Sequence, residues 1–235
     1  MTYAVVDCRR EGGPVKASFP AALFVCAVAL GAFGDDDQRF RASTPIVFDP
    51  FDTDLVASRW VKGAGCPTGA TINDGNKSTA FTDAACPTGD PRDEHNEGLL
   101  LVKTGPTGNF AAAIAELKGV KGITLTELGY DVRTNSHCGA GAPRFNVVTD
   151  DGVTHFVGCS SPPPLVKSAS QGWKRLRWTP AQAFPPIAGT VRSIFIVFDE
   201  GQDTDSALGP DNGAGLAVID NIDVNGQLVG RGAEK

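Results

Sequence analysis

The chain has 235 residues, of which 41% are hydrophobic, together with 28 glycines and 16 prolines. That is enough apolar matter for a core and enough turn formers for many short elements, which excludes a disordered chain and, without a Gly-X-Y period, a collagen-like one. The formal net charge of −6 repels phosphate backbones, whose recognition is dominated by Lys and Arg, so no nucleic acid partner is expected.

Residues 1–34 read as a signal peptide: a basic start, "RREGGPVK", an apolar run, "AALFVCAVALGAF", and small residues before "DDD". The run falls short of the roughly 20 apolar residues of a membrane span; an uncleaved anchor is the alternative. Cleavage removes Arg9, Arg10, Lys16, Asp7 and Glu11 and leaves a chain one unit more acidic. Beyond residue 34 there is no basic amphipathic segment to hold a membrane surface, so the protein is expected to be secreted and extracellular, with no membrane contact after cleavage.

Residues 35–44, "DDDQRFRAST", form a flexible polar lead, and one domain is expected over 45–231, followed by a tail at 232–235. "IVFDPF" is an edge-type strand, because Pro50 cannot donate to a ladder. The stretch from Gly63 to Gly98, dominated by Gly, Pro, Asn, Asp, Ser and Thr, is a long loop of the kind that is functional or strapped down. Strand signals then become regular. "GLLLVKT" is apolar, and "ITLTELGYDVR" sets Leu128, Tyr130 and Val132 in one phase against Glu127, Asp131 and Arg133. "NFAAAIAELKG" fits a helix through Phe110, Ala113, Ile114 and Leu117, and equally a strand through Phe110, Ala112 and Ile114; its place between strands favours the strand. "PRFNVVTDDGVTHFVGC" is a hairpin turning at Asp151-Gly152. "GWKRLRWTP", "TVRSIFIVFDEG", whose centre is apolar in both phases, and "GLAVIDNIDVNG" complete the series. Successive strands without βαβ units predict an all-β fold, an antiparallel sandwich.

Four cysteines follow the signal segment: Cys66, Cys86, Cys138 and Cys159. An even number in an exported chain favours disulfides, and proximity favours Cys66–Cys86 and Cys138–Cys159, each closing a loop of about 20 residues. Zinc is the competitor, but "CPTG", though it occurs twice, lacks the paired CxxC spacing.

Two constellations suggest a site. In "GWKRLRW", alternation sends Leu176 and Trp178 to one face and Trp173, Arg175 and Arg177 to the other. Trp173 beside guanidiniums, with Arg133, Arg144 and Asn146 in the outward phase of neighbouring strands, is a candidate carbohydrate platform, combining an apolar wall with a few polar groups. Alternatively Trp173 caps the core edge. The second is Asp220, in phase with Leu216, Val218, Ile222 and Val224. A carboxylate there needs a cation, an ion pair or several donors, or a bulge that turns it outward. No catalytic residues are assigned. There is no G-x-S-x-G elbow, adjacent Asp199 and Glu200 point to opposite faces, and "DEGQDTDSALGPDNG" lacks the EF-hand pattern. His95, His137 and His155 read as ordinary histidines.

From "LTELGYDVR", "PRFNVVTDDGVTHFVG", "GWKRLRW" and the closing "VIDNIDVNG", the chain resembles the secreted bacterial jelly-roll domains grouped with carbohydrate-binding modules and galactose-binding-like sandwiches. That resemblance implies an antiparallel jelly-roll β-sandwich and a structural calcium held by an Asp of the last strand with an acid near the first. The matching positions are Asp220 and Asp49, with Asp52 as the alternative to Asp49. The combined expectation is a secreted, non-catalytic, carbohydrate-binding domain stabilised by calcium. Its rivals are a structural or adhesive extracellular domain and a sandwich-fold polysaccharide hydrolase or lyase.

Overall fold

The structure, a computed structural model, describes residues 42–66, 71–74, 77–80, 96–139, 141–159, 162–169, 172–201 and 215–230. The expected signal peptide, most of the lead, Cys86, His95, the acids of residues 203–211 and the tail lie outside them. The strands are β1 (Ala42–Phe48), β2 (Val56–Val61), β3 (Thr71–Asp74), β4 (Lys77–Ala80), β5 (Gly98–Lys103), β6 (Ala112–Lys118), β7 (Leu128–Arg133), β8 (Arg144–Thr149), β9 (Thr154–Gly158), β10 (Leu165–Ser168), β11 (Trp173–Trp178), β12 (Val191–Phe198), β13 (Leu216–Val224) and β14 (Gln227–Val229).

Two antiparallel sheets pack face to face. The front sheet runs β1-β6-β12-β8-β9, and the back sheet runs β10-β11-β7-β13-β5-β2 with β14 added to β13. The chain changes sheet between β5 and β6, again to β7, again to β8, and later from β11 to β12 to β13. This interleaving is a jelly roll. The segment read as one long loop carries the β3–β4 ladder. Strand β1 starts earlier than expected, because Ala42, Ser43 and Thr44 pair with Lys118, Leu117 and Glu116, and Ser43 is fully buried with its N–H bonded to the Gly230 carbonyl.

The segment with two periodicities is strand β6. Alternation sends Ala113, Ala115 and Leu117 inward, while a 3₁₀ turn at Thr107–Asn109 ends in Phe110 with φ 60, which takes Phe110 out of phase and leaves it exposed. The buried Lys103 ammonium holds that crossover by donating to the carbonyls of Thr107 and Ala111 at 2.9 and 2.7 Å. Hydrogen bonding a buried charge to carbonyl dipoles offsets part of its desolvation.

The core is the meeting of two phases: Leu128, Tyr130, Val132, Leu176 and Trp178 from the back sheet against Ala115, Leu117, Phe145, Val147, Ile194 and Ile196 from the front. Tyr130 is its centre, with ring centroids 5.6 Å from Phe145 and 5.2 Å from Trp178. Its hydroxyl donates to the Pro143 carbonyl at 2.7 Å and accepts the Cys159 N–H at 3.0 Å. Burial pushes the phenol well above its ordinary range, so it stays neutral and serves as a fixed donor. Tyr130, on β7, thereby pins both ends of the β8–β9 hairpin to the core. Replacing Tyr130 by Phe leaves that carbonyl and that N–H without their partner in a dry site. The change is expected to lower the unfolding free energy by about 1–3 kcal/mol, read from the urea midpoint; an unchanged midpoint would contradict this account.

Candidate functional site

On the back sheet the outward phase is polar yet buried. Register places Arg177, Gly129 and Asp223 in one row across β11, β7 and β13, and Arg175, Asp131 and Asp220 in the next. Arg175 grips Asp131 through two hydrogen bonds, at 3.0 and 2.9 Å. Arg177 reaches across β7 to Asp223 at 2.9 Å. Only glycine permits that reach, since a Cβ at Gly129 would stand 2.3 Å from the Arg177 Cδ. Asp131 and Asp220 are directly opposed, a costly like-charge pairing. It is moderated by Arg175 and by the Asn221 amide, which donates to Asp131 at 3.1 Å.

Asp220 has a specific explanation. Register shifts between Asp220 and Asp223, and Asn221 stands at φ 44, the signature of a β-bulge. Before the bulge Ala217 and Ile219 face the core; after it Ile222 and Val224 do. Leu216, Val218 and Asp220 therefore share the outward face, and the single apolar phase of the sequence is two phases joined at a kink. Asp220 is nevertheless only 4% exposed, because Gly65 and Cys66 lie over it. Its carboxylate accepts the Cys66 N–H at 2.6 Å and the Asn221 N–H at 2.7 Å. Gly65 packs so closely that a Cβ would meet Asp220 Oδ2 and the Asn96 and Glu97 carbonyls at 2.8 Å.

Asp49 is elsewhere. It caps the β1–β2 turn, accepting from the Thr53 hydroxyl and the Asp54 N–H at 2.9 and 2.8 Å, and those bonds, the Thr53 backbone foremost, hold its pKa below the ordinary value. Asp52 belongs to the same turn. That turn enters β2, whereas Cys66, the partner of Asp220, follows the exit of β2. The strand therefore keeps Asp49 before its entry and the Cys66 partner of Asp220 beyond its exit. Among the described residues, the Asp220 carboxylate is held by N–H donors and the Asp49 carboxylate by the turn it caps. Among the described residues no group of three or more His, Cys, Asp or Glu side chains gathers at one point.

The five candidate ligand residues separate. Trp173 and Arg133 are cross-strand partners on the outward side of the back sheet, with Trp173 half-buried and Arg133 exposed, and Arg175 beside them is committed to Asp131. Arg144 and Asn146 belong to β8, which crosses to the front sheet, so they face the other side of the sandwich. There the register brings up residues that the sequence did not single out. One row reads Thr44, Glu116, Phe195, Asn146 and Phe156, the next Ile46, Ile114, Val197, Arg144 and Gly158. Phe156 is visible in the sequence only as the alternate of His155 and Val157, and Phe195 is hidden in a run apolar in both phases.

Arg144 is the best-anchored group on this face. It makes a two-pronged bridge to Asp199, both contacts at 2.6 Å, donates to the Asn146 side-chain oxygen at 3.1 Å and to the Gly141 carbonyl at 2.9 Å, and its Cζ lies 5.9 Å from the Phe156 ring centroid. Such a two-pronged pair fixes orientation as well as charge. The Gly141 loop is itself held by the Cys138–Cys159 disulfide and by Glu200, which accepts the Gly141 N–H and contacts His137. Cys66 is also disulfide-bonded; the partner expected for it, Cys86, is outside the described residues.

No family model matches the sequence, and no curated protein matches it. Among solved structures, the family 11 carbohydrate-binding module from Clostridium thermocellum, in complex with a β-1,3-1,4-mixed-linked tetrasaccharide, aligns with 80% of this chain and 99% of its own at 14% identity. The TM-score is 0.34, so the ligand has to be read from this chain's own residues.

Two outcomes test the polar layer. Arg175→Ala takes from Asp131, which is 0% exposed, its two-pronged partner and leaves it Asn221 and Arg177, and is expected to cost about 3 kcal/mol, the low end for a broken buried pair, in denaturant unfolding. If the N–H donors of Cys66 and Asn221 are what holds Asp220, a chelator is expected to leave Tm unchanged; a fall in Tm reversed by calcium would place an ion in the fold, because a ligand bound only by the folded state raises stability.

Proposed function

We propose that the front face is a carbohydrate-binding surface of a secreted, non-catalytic domain. The observation that carries this is the pairing of Phe156 with Arg144. An apolar ring, 39% exposed, lies beside a guanidinium whose position is locked by Asp199, with Phe195 and Asn146 in the same row. A sugar presents an apolar ring face and a polar rim, and a rigid aromatic plane flanked by fixed donors and acceptors matches both. Locked side chains also reduce the ordering cost of binding.

The non-catalytic part rests on the carboxylates of this face. Glycoside hydrolysis needs two carboxyl groups facing one another across the bond. Among the described residues, Asp199 is paired with Arg144, Glu116 contacts Lys118, and Glu200 contacts His137. Export is supported by the Cys138–Cys159 disulfide, a bond that persists in oxidising compartments. No described helix is long and apolar enough to cross a membrane.

A second reading, an adhesive contact with another protein, is favoured by Ile46 and Phe48, 40% and 52% exposed at the β1 edge of the same face. Affinity electrophoresis in gels containing soluble polysaccharides separates the two. The carbohydrate reading expects retardation that falls about tenfold in affinity on Phe156→Ala or Arg144→Ala and persists on Trp173→Ala. Retardation by none of the polysaccharides would overturn it in favour of the adhesive one, and release of reducing ends would assign an enzyme.

A further inference from the structure

The row that contains Asn146 and Phe156 does not stop at the last strand of the front sheet. Phe184 pairs with Phe156 through an isolated bridge, N–H to carbonyl in both directions at 2.9 Å. Residues directly opposed across antiparallel strands project to the same side, so Phe184 extends the front-face row, and it is 78% exposed. A large apolar ring held in water by two backbone hydrogen bonds is set up to meet something.

The next residue explains how it is held. Where the ladder continues, Pro185 falls opposite His155 as a pair whose main-chain groups do not bond one another. The His155 side chain supplies the contact instead. Alternation turns it inward from Phe156, it is 4% exposed, and its Nδ1 lies 2.8 Å from the Pro185 carbonyl while Nε2 lies 2.9 Å from the Thr149 hydroxyl. A carbonyl only accepts, so Nδ1 carries a proton in this bond. The segment is tied at its other end as well: Thr179 and Gln182 form a capping box, Gln182 donates to the Pro163 carbonyl at 2.9 Å, and the Ile187 N–H reaches Pro180 at 2.9 Å.

We propose that Phe184 is a terminal stacking subsite of the front face and that His155 is the positioning residue that holds it there. The proposal rests on the carbohydrate reading of that face. From Phe195 through Asn146 and Phe156 to Phe184 the row crosses three interstrand steps, ~14 Å at about 4.8 Å each. The ligand it fits is therefore an extended oligosaccharide lying across the strands, and Phe184 adds contact only to chains long enough to pass Phe156.

The test is a calorimetric titration of the full chain with cello-, manno-, xylo- and laminari-oligosaccharides, from di- to hexasaccharide, together with hydrogen exchange at the Phe184 amide. Phe184→Ala is expected to weaken hexasaccharide binding about tenfold and to leave disaccharide binding unchanged. His155→Gln keeps a polar group near Nε2 but loses the donor to Pro185. It is expected to reproduce the hexasaccharide loss and to speed Phe184 exchange about tenfold. His155→Asn, whose amide nitrogen stands near Nδ1, is expected to restore both. Phe184→Ala without effect, where Phe156→Ala weakens binding about tenfold, overturns the subsite and leaves the carbohydrate reading intact. Equal losses at every chain length overturn it too, as does Phe184 exchange unaltered by His155→Gln for the positioning role. Binding of none of the oligosaccharides overturns both the reading and the subsite.

Discussion

Two arginines laid across the back sheet set the terms for the rest of the molecule. Arg177 spans β7 over Gly129 to reach Asp223, and Arg175 grips Asp131 beside it. Removing four charges from water is costly unless each is paired and hydrogen-bonded, so this face holds together only as a complete set, with the Cys66 backbone closing over Asp220. The buried charges of this sheet face are thus committed to one another, while Trp173 and Arg133 stand at its margin. On the front sheet Phe156 and Phe195 stand in line with Asn146.

The bulge in β13 makes the two faces compatible. An unbroken strand from Leu216 to Val224 would carry Asp220 on the side that packs Ile222 and Val224, opposite Tyr130 and its neighbours. Inserting an extra residue at Asn221 lets Val218 and Asp220 point outward and Ile222 and Val224 inward. The carboxylate joins the polar layer instead of entering the core, and its requirement for donors is met by main-chain N–H groups.

On the front sheet the same economy of fixed parts recurs with a different result. The disulfide ties the β7–β8 loop to the end of β9, Glu200 holds Gly141, and Gly141 and Asp199 hold Arg144. Tyr130 supports the unit from beneath. The polar groups of this face are thus oriented before any ligand arrives, while the rings of Phe156 and Phe184 remain open to solvent. Exposed aromatics beside anchored donors, over a rigid sheet, are the combination that favours an ordered polar ligand with an apolar face.

Local alternation determined a great deal. Strands β5 to β9 and β11 to β13, the inward phase of Leu128, Tyr130, Val132, Leu176 and Trp178, the Asp151-Gly152 hairpin and the Cys138–Cys159 pairing follow from short-range spacing, because period two and turn chemistry are properties of neighbouring residues, whereas β10 carried no such signal. What spacing does not contain is the assignment of strands to sheets. Arg144 and Asn146 have the same outward phase as Arg133 and Arg175, yet β8 crosses to the front while β7 and β11 stay at the back, so a platform drawn from all five is divided between opposite faces. Asp49 and Asp220 were separated in the same way, by the length of β2. Sheet membership, and the bulge that reverses a phase within one strand, are fixed by which apolar surfaces bury one another across the whole chain, and only the folded arrangement decides them.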